Sequence, residues 1–326
     1  MTAAAVIPNW NGGARLARTI EDLQEQTAPP ARIVVVDNGS LDGSGERARA
    51  VGCETIAMGR NAGFAAAVNA GIRESGTELV AIVNNDVELE PEWLAGLTAA
   101  FEDSEVWFAC GKLRSLARPG QLDGAYDLVC LGRTAWRCGA GKADGPLWNR
   151  RRRIAMAPMT AAVFRRELFD RVGLLDERFE SYLEDVDFGI RCAMAGLGGL
   201  YVPEAGGGHW GSATLGAWSP RTLRLLARNQ TYLTRKYPPA RWWSTEGWAI
   251  VVAQGLWGLV AARNGGLPGI GAWLHGKAAG LGGARFERAD GASTVLAAQE
   301  LEIRELQARC GADRYWEAYF RLAGVR

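Results

Sequence analysis

The sequence predicts an α/β fold: a doubly wound, mostly parallel sheet with helices on both faces, followed by a helical C-terminal appendage. Three observations carry this. Short apolar runs alternate with stretches of helical spacing through residues 1–110, as βαβ units require. Leu79-Val80-Ala81-Ile82-Val83 is apolar at every position, which suits a parallel strand covered on both faces. Polar residues follow three of the runs, at Asn9 and Asn11, at Asp37, and at Asn84 to Asp86. Parallel strands gather such residues on one sheet edge, where open α/β sheets bind ligands.

Each element has its own signal. Residues 3–7 read as a strand that ends in Pro8-Asn9-Trp10-Asn11-Gly12-Gly13. Residues 14–26 have helical spacing at Leu16, Ile20 and Leu23, and Pro29-Pro30 break that helix. A second strand at 33–36 ends in Asp37-Asn38-Gly39-Ser40. A helix at 42–51 and a third strand at 55–58 follow. Asn61-Ala62-Gly63-Phe64 opens a helix running through Asn69 to about residue 75. Pro91 starts another helix at a favoured first-turn position. Residues 113–153 read as irregular, glycine-rich and basic, with Arg150 to Arg153 as either a solvated charge run or a contact for phosphate or an anionic surface. Residues 167–172 read as a short helix. Glu184, Asp185 and Asp187 then crowd the start of a helix that continues to Arg191. Such carboxylates either complement the helix dipole or raise one another's pKa and supply a general base. Residues 201–203 look like an edge strand, and His209 follows as either a structural histidine or a ligand.

Composition removes several classes. The chain has 326 residues, and 37 basic against 36 acidic residues leave a formal charge of +1, so nucleic acid is not an expected partner. No G-x-G-x-x-G or G-x-x-x-x-G-K-[ST] pattern follows the first strand, which disfavours a dinucleotide site or a P-loop. The six cysteines form no C-x-x-C pair, so neither a zinc site nor an oxidising compartment is expected. The opening residues lack the pattern of a signal peptide.

The C-terminal third reads as helices. Residues 220–237 form a basic helix ended by Pro238-Pro239. Residues 247–262 are apolar and uncharged, but shorter than the roughly 20 residues a membrane span needs. With residues 267–274 and the flanking Arg241, Arg263, Lys277 and Arg285, they suit either in-plane attachment at a membrane surface or ordinary helix burial. Residues 293–307 suit a homodimer contact or packing on the main domain, and the end around Tyr315 and Trp316 reads as an aromatic helix that docks. The expected division is 1–215, with a nucleotide-binding half at 1–110 and an acceptor and catalytic half at 111–215, then 216–326.

These residues carry a family resemblance. Ile7-Pro8-Asn9-Trp10-Asn11-Gly12, Val36-Asp37-Asn38-Gly39-Ser40, and Arg60-Asn61-x-Gly63-Phe64 with Asn69 come first. Asn84-Asn85-Asp86, Asp176-Glu177-Arg178-Phe179, Tyr182-x-Glu184-Asp185-x-Asp187 with Arg191, and Val202-Pro203-Glu204-Ala205 with His209 complete the series. In this order over residues 3–215, the chain resembles the family-2 inverting nucleotide-sugar glycosyltransferases of GT-A fold, near the rhamnosyltransferases of surface polysaccharide and cell-wall synthesis. The resemblance implies a hexosyl transfer from dTDP-L-rhamnose, or secondly a UDP-sugar, to a glycan or polyprenyl-diphosphate-linked acceptor. Peripheral placement at the inner face of the plasma membrane goes with such an acceptor. It implies that Asp37 binds the pyrimidine and that Asn61 holds the nucleoside. Pro8, Asn9, Asn11, Asn38, Arg60, Asn69, Asn84 and Asn85 complete the donor site. Asp86, with His209, would hold Mg2+ or Mn2+ on the diphosphate; Asp185 would be the base, with Glu184, Asp187 and Arg191 on the acceptor side. Asn84 replaces the first carboxylate of the family's DxD pattern, which weakens the expected metal affinity. The rivals are a catalytically degenerate membrane scaffold and a sugar-1-phosphate nucleotidyltransferase. The latter's Gly-rich, Arg- and Lys-containing first loop is missing after Ile7.

Overall fold

All seven residues of Ala3–Asn9 are buried, because this strand lies inside an eight-stranded sheet in the computed structural model of the chain. The structure describes residues 1–211, 216 and 218–324. In order across the sheet the strands are Arg152–Ile154, Gly199–Tyr201, Phe108–Cys110, Ala161–Arg165, Leu79–Val83, Ala3–Asn9, Arg32–Asp37 and Glu54–Ala57. Only Arg152–Ile154 and Ala161–Arg165 run against the rest. Strand alternation explains the helices on both faces. Ala3, Ala5 and Ile7 pack with Leu16, Ile20 and Leu23 of helix Gly13–Gln24 and with Ala48. Val6 points the other way, onto Gly71 of helix Phe64–Ser75, where an added Cβ would stand 2.2 Å from Val6 Cγ1.

A second sheet of four strands orders as Val87–Leu89, Gly207–His209, Leu113–Ser115 and Leu122–Gly124. Its strands are three residues long, too short for an alternation to be legible, so residues 113–153 read as irregular. The Gly199–Tyr201 strand is not an edge strand as expected: it pairs with Arg152–Ile154 on one side and Phe108–Cys110 on the other. Pro203 lies beyond the paired residues, so its missing N–H breaks no ladder bond. In the arginine run, Arg151 meets Glu204 at 3.2 Å, Arg153 meets Asp103 at 2.5 Å, and the Arg152 guanidinium lies 5.3 Å from the Tyr126 ring centroid.

The chain divides into two compact units, Met1–Asp127 with Arg137–Thr214, and Leu128–Trp136 with Leu215–Arg326. The boundary expected after residue 215 falls on residues outside the described set. The second unit holds helices Pro220–Lys236, Thr245–Gly282, Ala292–Cys310 and Arg314–Ala323. Its segment 128–136 is tied in by Arg133, fully buried, which donates to Tyr237 O at 3.0 Å and to Glu246 at 2.7 Å. Thr245–Gly282 is not one rod: Gly266, at φ 59° and ψ −151°, reverses the chain. Among the described residues, no helix is long and apolar enough to cross a membrane.

Candidate active site

The carboxyl ends of the parallel strands carry the polar clusters, all within the first unit. Asn9, 1% exposed, ties three of them together. Its amide donates to Ser44 Oγ at 2.8 Å and to Asp37 Oδ1 at 3.5 Å, and its Oδ1 accepts from Asn85 Nδ2 at 2.8 Å. Asn11 Oδ1 accepts from Leu41 N at 2.8 Å. Asn38 donates to Gly63 O at 3.0 Å and to Asn61 Oδ1 at 3.3 Å, and its own Oδ1 accepts from Ala62 N at 2.8 Å. Gly39 makes that approach possible: at φ 77° its missing Cβ would stand 2.7 Å from the Arg60 backbone. Pro8 is buried in its strand, whereas the Arg60 side chain is exposed. The structure thus brings Asn9, Asn11, Asp37, Asn38, Asn61 and Asn85 together at one edge.

Asn69 does not join them. It is 1% exposed and spent on the backbone of Leu175, at 2.9 and 3.0 Å, and on Glu177 at 2.9 Å. Its contacts clamp a turn, and no polar group is left to face a nucleotide. Asp187 and Arg191 are likewise bonded inward. Asp187 is 0% exposed and pairs with Arg191 at 3.1 Å, while Arg191 donates to Gly173 O and Leu174 O.

Asp86 and His209 meet. Asp86 Oδ1 lies 3.2 Å from His209 Nε2, and both residues are buried. His209 Nδ1 lies 2.9 Å from Asp123 Oδ2, so a second carboxylate fixes the ring. Arg137 stands behind it, 3.5 Å from Asp123 and 3.2 Å from Asp127, and donates to Thr160 Oγ1 at 3.0 Å. Burial opposes the His209 charge, but the hydrogen bonds to Asp123 and Asp86 prevail and push its pKa up to about 9. Burial also works against Asp123, yet the His209 bond and the His209 and Arg137 charges hold it below the usual range. Burial pushes Asp127 up to about 6 despite Arg137.

The pair fits a divalent cation. Once His209 Nε2 releases the proton it shares with Asp86, the two side chains would offer one imidazole nitrogen and one carboxylate to the ion. Asn84 Oδ1, two residues before Asp86, is buried without a hydrogen-bond partner. Among the described residues, no three His, Cys, Asp or Glu side chains converge on one metal position. A cation held here would therefore take its remaining ligands from a substrate diphosphate and water, as Mg2+ commonly does.

The third cluster opens helix Glu184–Met194. Glu180, Tyr182 and Leu183 precede it at φ 60°, 72° and 67°, a concentration of left-handed backbone that non-glycine residues adopt at a cost. Glu184 is buried with Oε2 unpartnered, and burial, then the Asp185 charge, push its pKa well above the carboxylate range. Asp185 alone of the three is only half-buried; its Oδ1 accepts from Val186 N at 2.8 Å. Sequence reading missed Asp123, Asp127, Arg137 and Thr160. The one signal was two lone carboxylates in the apolar stretch 122–130.

The doubly wound sheet, with polar clusters at the carboxyl ends of its parallel strands, has the GT-A glycosyltransferase fold. Residues 4–173 match the model of glycosyl transferase family 2, and the chain belongs to that family. It is 27% identical over 267 residues to the N-acetylglucosaminyl-diphospho-decaprenol L-rhamnosyltransferase of Mycobacterium tuberculosis, covering 73% of this chain and 85% of that one. It is 28% identical over 226 residues to a pre-mycofactocin glycosyltransferase of the same organism, covering 66% of this chain and 44% of the other. Among solved structures, GalNAc-T7 with UDP, GalNAc and Mn2+ aligns at TM-score 0.62 and 13% identity, over 98% of this chain and 56% of that one. A mannosyltransferase of Pyrobaculum calidifontis with GDP-Man and Mn2+ aligns at TM-score 0.53 and 19% identity, over 99% of this chain and 86% of that one. These likenesses agree in fold.

Proposed function

We propose that this chain is an inverting transferase that moves L-rhamnose from dTDP-L-rhamnose onto a polyprenyl-diphosphate-linked glycan, from a peripheral position at the inner face of the plasma membrane. The observation that carries the chemistry is the half-buried Asp185 beside two buried carboxylates, in the same unit as the Asp86–His209 pair. The rhamnosyl donor and lipid-linked acceptor are supported by the mycobacterial relative, whose name states both the rhamnosyl transfer and the diphospho-decaprenol acceptor. A UDP-sugar is the next candidate donor.

The residues divide the work. Asp37, Asn38 and Asn61 hold the pyrimidine nucleoside, with Asn9 and Asn85 fixing the loops around it. Asp86 and His209 hold Mg2+ or Mn2+, which when bound neutralises the charge of the departing nucleoside diphosphate. Asp123 and Arg137 keep the His209 ring in place. Asp185 takes the proton from the acceptor hydroxyl as that oxygen attacks the anomeric carbon, opposite the leaving group. One displacement inverts the configuration. Glu184 is favoured in its neutral form by burial.

Thermal unfolding with dTDP, UDP, GDP and ADP, each with and without Mn2+, tests the donor class. Ligand at about 100 times its dissociation constant adds about 2.7 kcal/mol, a shift of several degrees at this size. A Mn2+-dependent shift with dTDP, followed by rhamnosyl transfer to a polyprenyl-diphosphate glycan, supports the proposal. No shift with any nucleotide, or release of pyrophosphate, rejects it.

A further inference from the structure

The second unit carries an apolar surface that the transfer reaction does not use. We propose that the segment 245–282 is a helical hairpin that lies in the interface of one leaflet of an anionic lipid bilayer. The inference rests on the peripheral-membrane part of the proposed function and gives it a structural element.

Two close contacts define the hairpin. A Cβ on Gly258 would stand 3.4 Å from the Trp273 ring, and one on Gly269 would stand 2.5 Å from Ala261 O. Positions before and after Gly266 therefore pair in antiparallel order, and Gly265, Gly266 and Pro268 make the tip. Helix Pro220–Lys236 covers one side of the second arm. Gly276 lies against Arg224 and Ala227, and Gly280 against Arg228 and Thr231, each too close for a side chain.

The opposite side is bare. Leu267, Leu274 and Leu281 recur every seven residues on the second arm and are 84%, 55% and 69% exposed. Trp248, Val251 and Leu259 form a matching stripe on the first arm, each more than half exposed. Trp242 and Trp243 precede the first arm, and Trp243 is fully exposed. Apolar stripes along both arms, with exposed Arg263 beside the turn and Trp242 and Trp243 at the open end, suit a hairpin lying along the membrane interface with both ends at headgroup level.

Charge selects lipid over a second copy. Residues 216–285 hold nine Lys and Arg against the single acid Glu246; Arg221, Arg241, Arg263 and Arg285 are exposed, whereas Arg228 is buried and burial pulls the Lys277 pKa down to about 7. Glu246 is itself paired with Arg133. Two copies joined through this surface would bring like charges together, whereas anionic headgroups complement them. No described helix is both long and apolar enough to span a membrane, which fits attachment to one leaflet.

The test is co-sedimentation of the whole chain with phosphatidylcholine vesicles, with and without phosphatidylglycerol, at low and high salt. Wild type is expected to pellet with the anionic vesicles and less so at high salt. Leu259→Glu with Leu267→Glu is expected to lower the bound-to-free ratio by more than about tenfold, with the unfolding midpoint unchanged because both side chains are exposed. Trp243→Ser gives a milder loss. A wild type that stays in the supernatant, or a double variant that pellets equally, overturns the proposal. So does a wild-type dimer, by sedimentation velocity without vesicles, that becomes monomeric in the double variant, since that assigns the stripes to a second copy. The nucleotide-induced thermal shift, measured without vesicles, reads the donor site alone. A failed vesicle experiment is thereby distinguished from a failed donor assignment.

Discussion

Glu184, Asp185 and Asp187 sit within one helical turn, and burial separates their chemistry. Glu184 is buried and favours its acid form, Asp187 is locked to Arg191, and Asp185 retains access to solvent. Asp185→Asn is expected to lower kcat by about 10²–10⁴-fold while the thermal shift with dTDP and Mn2+ survives. Near wild-type turnover would remove the base assignment. Asp123 acts one contact further out, through the His209 ring. Asp123→Asn is expected to weaken Mn2+ binding by about 10–100-fold, measured by calorimetry with dTDP present. Unchanged affinity would mean that Asp123 serves folding alone. The tryptophan and carboxylate residues were visible in the sequence, but which carboxylate stays accessible was not, because accessibility comes from distant neighbours.

The Glu184 helix is held by its interior end. Asp187 and Arg191, one turn apart, exchange a buried ion pair, and Arg191 also satisfies backbone carbonyls of the preceding turn. Asp187→Ala removes one partner of a guanidinium that keeps its carbonyl bonds and is expected to cost about 1–3 kcal/mol, read as a lowered unfolding midpoint. A variant of normal stability that loses only transfer would return Asp187 to the acceptor side. The loop after strand Arg32–Asp37 makes an equally local demand. Gly39→Ala places a Cβ into the Arg60 backbone at a φ of 77°, so both the fold of that loop and donor binding should suffer. Long elements such as Leu79–Val83 were legible from their runs, and Phe64–Ser75 from its spacing. The three-residue strands around Asp123 and His209 were not, since pairing across the sheet, not local pattern, creates them.

Across the molecule, buried carboxyls set a pH dependence. Asp127 titrates near 6 in the fold and near 3.8 as an isolated side chain, and Glu184 is raised in the same direction. Between about pH 4 and 6 the folded chain holds a proton on Asp127 that the unfolded chain has released, so the contribution of Asp127 to stability falls as pH rises through that window, and that of Glu184 falls as pH rises toward its own raised pKa. Asp127→Asn keeps an acceptor for Arg137 and should flatten the midpoint-versus-pH curve there. An unchanged slope would show that the burial of Asp127 does not govern stability. The sequence by itself determined the sheet class, the order of its first strands, the polar clusters at their carboxyl ends and the basic, apolar character of the last third. Each of these is written in local runs, spacings and charge counts. Tertiary structure alone decided that Asn69 and Asp187 are internal ties, that Asp123 and Arg137 stand behind His209, and that Gly266 turns one apolar stretch into a hairpin. Those outcomes depend on which distant residues share a buried space, and a one-dimensional pattern does not encode that directly.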